Sequence, residues 1–192
     1  MSAVSGMMCW ALSLLRVARG AHSISLIDLL CDYGADPDSA IHAAALHGYF
    51  QTVTALIARG AHVDLPIAAV LNRVEDARRL LLTASAAERH LALAVASQVG
   101  HIEIVRLLLD AGEDPNRYNP PGGHAHTTPL HQAALIGHEG LVRLLIERGA
   151  NVNTRDLLWR GTPADWARHE GRAELEAYLR RAESQGHRDG PV

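Results

Sequence analysis

Lysine is absent from this chain: all eighteen basic side chains are arginine. That absence rules out Schiff-base chemistry, the phosphate-binding lysine of a P-loop and a lysine general base. Cysteine is nearly absent too. Cys9 and Cys31 are the two present, both in apolar helical surroundings. They are too few for a disulfide scaffold and are expected to be free, buried thiols of a reducing compartment. No apolar run approaches the roughly 20 residues that a membrane-spanning helix needs. The leading segment MSAVSGMMCWALSLLRVARGA has no basic start, and its apolar stretch from Met7 to Leu15 is short and followed by Arg16 and Arg19. That pattern argues against a secretory signal, so a cytoplasmic location without a membrane partner is expected. A basic excess is also missing. The formal net charge is −3, which is not the footprint of a nucleic-acid binder. The arginines are interspersed with Asp and Glu, as in the i, i+4 pair Arg143 and Glu147, the pattern of a solvated helix face.

Catalytic motifs are missing in the same way. The sequence contains no glycine-rich phosphate loop, no G-x-S-x-G elbow and no Cys–His pairing. Gly122-Gly123 is a turn element, too short for a dinucleotide fingerprint. Asp36 and Asp38, or Glu113 and Asp114, fall at turns, where Asx side chains tie their own backbone. Glu75 and Asp76 fall at a helix start and complement its dipole. No catalytic residue and no cofactor is therefore expected. What is present is 48% hydrophobic residue over 192 positions, the balance of one soluble globular domain. Alanine, leucine, glycine and arginine dominate, as a GC-rich bacterial genome would favour.

Self-similarity is the strongest signal. The clearest unit, Thr128 to Asn153, reads TPLHQAALIGHEGLVRLLIERGANVN. Thr128 is an N-cap candidate, and Pro129 suits the first helical position, where its missing N–H is no loss. A short helix then presents Leu130, Ala133 and Ala134 inward, and Gly137 breaks it. Leu141, Val142, Leu144, Leu145 and Ile146 recur at helical spacing in a second helix, which Gly149 closes as a left-handed cap. The pattern returns at His42–Gly48 with Val53 and Leu56. It returns again at Leu93–His101 with Ile104, Val105 and Leu108, and at Gly161–Ala167 with Leu175 and Leu179. Leu65 to Leu82 is a degenerate copy that reads as lacking its helix-capping glycine, and Ile24 to Asp36 looks like the second half of a first copy.

Thr128-Pro129-Leu130-His131-Gln132-Ala133 resembles the T-P-L-H-x-A signature of the ankyrin repeat. The resemblance covers residues 22 to 181 and implies an all-α solenoid of helix-turn-helix pairs with short β-hairpin fingers, about six repeats in all. Spacing is uneven: about 25 and 27 residues in the first copies against an ankyrin period of about 33. The N-terminal copies are therefore expected to have lost much of their fingers, while Asp114 to Thr127 has gained length. One domain over 1–182 follows, with a polar disordered tail over 183–192. Met7–Ala18 either supplies the first repeat's missing helix or continues a longer solenoid.

Three histidines in GGHAHTTPLH, His124, His126 and His131, invite a zinc reading. His131 fills the scaffold position of the signature, however, as do His42, His101 and His138 elsewhere. Two remaining histidines do not make a zinc site, so no metal is expected. The loop NRYNPPGGHAHT and the tip Leu157-Leu158-Trp159-Arg160 are what scaffold physics does not require. Prolines stiffen the first, Tyr118 offers a large contact, and Trp and Arg are common interface anchors. The alternative is a structural stack of Tyr118 on Trp159. Since ankyrin repeats bind proteins, the resemblance implies a monomeric interaction module taking another protein on its concave face and fingers. The contact residues would be Tyr118, Asn119, His124, His126, Gln132, Leu135, Trp159 and Arg160, with Trp166 a weaker candidate. A metal- or small-molecule-binding module built on His124 and His126, or a regulatory subunit of a separately encoded enzyme, are the alternatives.

Overall fold

Among the described residues, four helices of this chain begin at a capping side chain, on Asp64, Ser85, Thr128 and Thr162, and most end where the backbone turns left-handed. The computed structural model describes residues 24–121 and 124–186. Among the described residues eleven helices follow in order: α1 (Ile24–Asp32), α2 (Asp38–Leu46), α3 (Phe50–Ala58), α4 (Leu65–Val70), α5 (Val74–Leu81), α6 (Ala86–Val99), α7 (Ile102–Asp110), α8 (Pro129–Ile136), α9 (Glu139–Glu147), α10 (Pro163–His169) and α11 (Ala173–Gly186). From α2 onward they form five pairs. Each pair turns at a residue with positive φ: Gly48 (73°), Asn72 (54°), Gly100 (79°), Gly137 (79°) and Gly171 (69°). Asparagine is among the few non-glycine residues that visit this region readily. The degenerate copy therefore does have its turn residue, Asn72, one position before Arg73. The expected partner of α1, over Met7–Ala18, lies outside the described residues, so five pairs and one further helix stand where about six repeats were expected.

The first helices stack in a row, α2 on α4, α6, α8 and α10 in turn. Small side chains permit the close approach: Ala44, Ala68, Ala92, Ala133 and Ala164 are fully buried. Larger residues of the second row fill the space behind them, with Leu56, Leu108, Leu145 and Leu179 also fully buried. Repeats interlock through polar groups as well. His101 Nδ1 donates to the Ala69 carbonyl of the preceding pair (2.9 Å). The His138 imidazole lies over Gly100, where an added Cβ would come within 2.0 Å of its Nε2, and Arg172 lies over Gly137 in the same manner.

Fingers differ along the stack. Between α5 and α6 only residues 82–85 remain, and α6 is fourteen residues long against eight in α8. Its extra N-terminal turns start at a capping box between Ser85 and Glu88. This extension supports the enlarged finger that follows, because Arg89 Nε donates to Glu113 Oε1 (2.8 Å) and His90 is buried beneath Arg117 and Tyr118. No residue of the fingers is in a strand among the described residues, in contrast to the expected β-hairpins. Single backbone bonds take the place of a ladder, Asn119 N to the Thr127 carbonyl (2.8 Å) and Asp156 N to the Gly161 carbonyl (2.9 Å). Pro120 and Pro121 have no N–H to extend the first of these.

At the C-terminal end α11 continues to Gly186, past the expected boundary at Ala182. Glu183 holds that last turn by accepting from Arg180 (3.0 Å) and from the Thr162 hydroxyl (2.8 Å). The rest of the expected tail lies outside the described residues, as does Cys9. Cys31 is a free, half-buried thiol whose pKa is raised by burial. Among the described residues no helix is long and apolar enough to cross a membrane.

Candidate interaction site on the last two fingers

The second of the two large fingers is organised by one buried carboxylate. Asp156 is fully buried. Its Oδ1 accepts from the amides of Leu158 (2.9 Å) and Trp159 (2.6 Å). Its Oδ2 accepts from the Gly161 amide (2.8 Å) and the Trp166 indole N–H (3.1 Å). Burial alone would raise the pKa, but the four N–H donors outweigh it and hold the carboxyl at about 2. The segment is thereby drawn into a knot that places Arg160 at φ 60° and leaves Leu157, Leu158 and Trp159 exposed at 52, 63 and 69%.

The first finger is tied down by Thr127. Its hydroxyl receives the amides of Asn119 (3.1 Å) and Gln132 (2.9 Å). The two fingers are then joined to each other. Leu157 N donates to the His126 carbonyl (2.9 Å), and the Tyr118 hydroxyl donates to the Arg155 carbonyl (2.8 Å). His126 meets Trp159 edge-on with ring centroids 5.2 Å apart, and Trp166 lies 5.9 Å from His126 and 5.8 Å from Trp159. In place of the alternative stack of Tyr118 on Trp159 stands a His126–Trp159–Trp166 cluster. His126 Nε2 is buried in it without a hydrogen-bond partner.

Behind the cluster stands His131, fully buried. Its Nδ1 accepts from the Thr128 hydroxyl (2.8 Å) and amide (3.3 Å), which leaves Nε2 to donate to the Gly161 carbonyl of the next pair (3.2 Å). Burial pushes its pKa down. His42 fills the same slot in the first pair with different chemistry. It is half exposed, and its Nε2 lies 2.6 Å from Asp64 Oδ2. The hydrogen bond to that carboxylate pushes the pKa of His42 up.

Between the fingers and α10 lies a groove of about 830 Å³, lined by His124, His126, Leu135, Trp159, Arg160 and Trp166 among others. Five of the eight residues expected at a contact surface therefore come together, with Trp166 joining them as a principal wall. Three do not. Asn119 and Gln132 are 3% and 1% exposed and spend their amides on Thr127, so neither is available to a partner. Tyr118 supports the adjoining finger rather than lining the groove. Asp156 was the residue missed. An aspartate next to an apolar tip reads as a solvated turn, although its spacing from Gly161-Thr162-Pro163 marks the neck of the finger. His124 and Arg160 both have φ of 60°, and with Asn72 they are the non-glycine residues at positive φ among those described. Two of three thus line one groove. Backbone strain of this kind persists where surrounding contacts over-determine it, and it gathers at ligand sites.

Among the described residues no three His, Cys, Asp or Glu side chains gather as a metal site. The Asx turns at Asp36 and Asp114 are present, each accepting from the amide two residues on (3.0 and 2.8 Å). Arg143 reaches back to Glu139 (3.8 Å) and lies over the Tyr178 ring (4.3 Å), rather than forward to Glu147.

A family model described as ankyrin repeats in three copies matches residues 67–156 and 93–181, and one described as a single ankyrin repeat matches residues 38–68. The chain belongs to the ankyrin-repeat family. No curated protein matches it. Ankyrin repeats are generally protein–protein interaction modules.

Proposed function

We propose that the chain is a non-catalytic interaction module that takes a protein partner in the groove between its last two fingers and α10. One observation carries this reading: a largely exposed Trp159 and two left-handed residues, His124 and Arg160, converge on the same groove. A tryptophan whose backbone is fixed by a buried carboxylate and whose ring packs on His126 and Trp166 gives up little conformational entropy on binding, the property of an interface anchor. The mechanism is recognition by a preformed surface. His126, Leu135, Trp159 and Trp166 supply apolar and aromatic contact, and His124 and Arg160 supply the rim.

Affinity capture from the native host tests the reading, with wild type set beside Trp159→Ala and circular dichroism to verify the fold. A protein retained by wild type and lost by the folded variant is the expected result. Retention of the same proteins by both would overturn it.

A further inference from the structure

Arginine is distributed unevenly between scaffold and fingers, and the unevenness points to the chemistry of the partner. On the helices and their ends the guanidinium groups are mostly neutralised. Arg59 pairs with Asp32, Arg79 with Asp76 (2.7 Å), Arg89 with Glu113 (2.8 Å) and Arg148 with Asp110. Arg180 pairs with Asp165 (2.7 Å) and Glu183 (3.0 Å). On the fingers, Arg117, Arg155 and Arg160 have no carboxylate partner among the described residues. Arg155 instead donates to the Arg160 carbonyl (2.6 Å), which fixes the tip that presents the Arg160 side chain.

No carboxylate lining the groove pairs with Arg160. Asp165 is taken up by the Thr162 amide (2.9 Å), Arg168 (3.3 Å) and Arg180, and Glu170 lies beside His169 (3.6 Å). The groove therefore presents an indole floor with an uncompensated cation at its lip.

We infer that the groove takes an acidic peptide segment, one in which an aromatic or leucine side chain packs on Trp159 and Trp166 beside a carboxylate that pairs with Arg160. This rests on the interaction reading of the same groove. Arg160 is one guanidinium without a carboxylate partner in a groove that also holds Asp165 and Glu170, so it matches a single carboxylate beside an apolar side chain rather than a run of phosphates.

The test is selection of phage-displayed random dodecapeptides on the full chain, followed by affinity measurement against two variants. Arg160→Asn removes the charge but keeps a residue that tolerates the left-handed backbone, so the finger stays folded. Trp159→Ala reports whether the groove is used at all. The expected peptides carry an Asp or Glu beside an aromatic or Leu. Their Kd should weaken about tenfold on Arg160→Asn, and their binding should be lost on Trp159→Ala. Neutral or basic peptides that depend on Trp159 would overturn the acidic inference while leaving the groove as the binding site. No enrichment, or peptides indifferent to both variants, would overturn the groove itself. An oligouridylate that displaces the peptides at lower concentration would replace the peptide by a nucleic acid.

Discussion

His42 and His131 hold equivalent places in the first and fourth helix pairs, yet the halves of the molecule around them are built differently. In the first half, turns are short, the histidine is half exposed, and it leans on the carboxylate of the next repeat. In the second, the histidine is buried and grips the backbone of a long finger. The same position in one repeat grammar serves as a surface ion pair in one place and as the root of a projecting loop in the other. Stacking requires only the first arrangement. The second is what holds an exposed tryptophan and an unpaired arginine at fixed positions, which is why the proposed recognition surface lies in the added material of the fourth and fifth repeats.

Removing the carboxylate that knots the last finger should have the largest effect. Asp156→Ala would leave four N–H donors without their acceptor and lower stability by about 3 kcal/mol, read from the urea midpoint. The same carboxylate sets an acid limit. Its pKa is depressed when folded, so its stabilisation is present above about pH 4 and is lost as pH falls toward about 2.

Gly100→Ala comes next. It forces a left-handed alanine into the His138 ring, at a cost of about 2 kcal/mol. Adding His138→Ala should recover only the clash, which separates backbone strain from packing in a double-mutant cycle.

The histidine pair sharpens the comparison by sign. The pKa of His131 is lowered, so its contribution is present above about pH 6.5 and is lost on acidification through the lowered value. That of His42 is raised, so its contribution is full below about pH 6.5 and is lost as pH rises through the raised value. Between pH 8 and about pH 5.5 the advantage of wild type over His131→Gln should shrink while its advantage over His42→Gln grows. Parallel changes in the two would erase the distinction between the halves.

The smallest effect is expected at Arg160. Arg160→Gly relieves a left-handed non-glycine residue, and Tm should stay level or rise, within about 1 kcal/mol, while partner binding falls. Loss of stability would mean that the arginine is a scaffold residue.

Most of the scaffold was legible because its signals are local. Thr128-Pro129 and Thr162-Pro163 announce helix starts, and Gly48, Gly100, Gly137 and Gly171 announce the turns. Asn72 is harder to read, because asparagine is common outside the left-handed region and marks it less uniquely than glycine does. The long start of α6 was also written in the sequence, as Ser85-Ala86-Ala87-Glu88, a capping box ahead of good helix formers. The fingers were legible as places but not as surfaces. Asn119 and Gln132 are polar and were expected to face a partner, yet both are buried on Thr127 by contacts that only the folded finger creates. Asp156 and the His126–Trp159 contact join residues from two separate loops, and no periodicity encodes such a pairing.

Amide hydrogen exchange of the full chain with and without its captured partner tests whether recognition resides in the last two fingers. Recognition there slows exchange at residues 118–119, 124–128 and 155–161 and along α10, with α2 to α5 unchanged. Protection confined to α2 to α5, with the fingers exchanging as in the free chain, would contradict it.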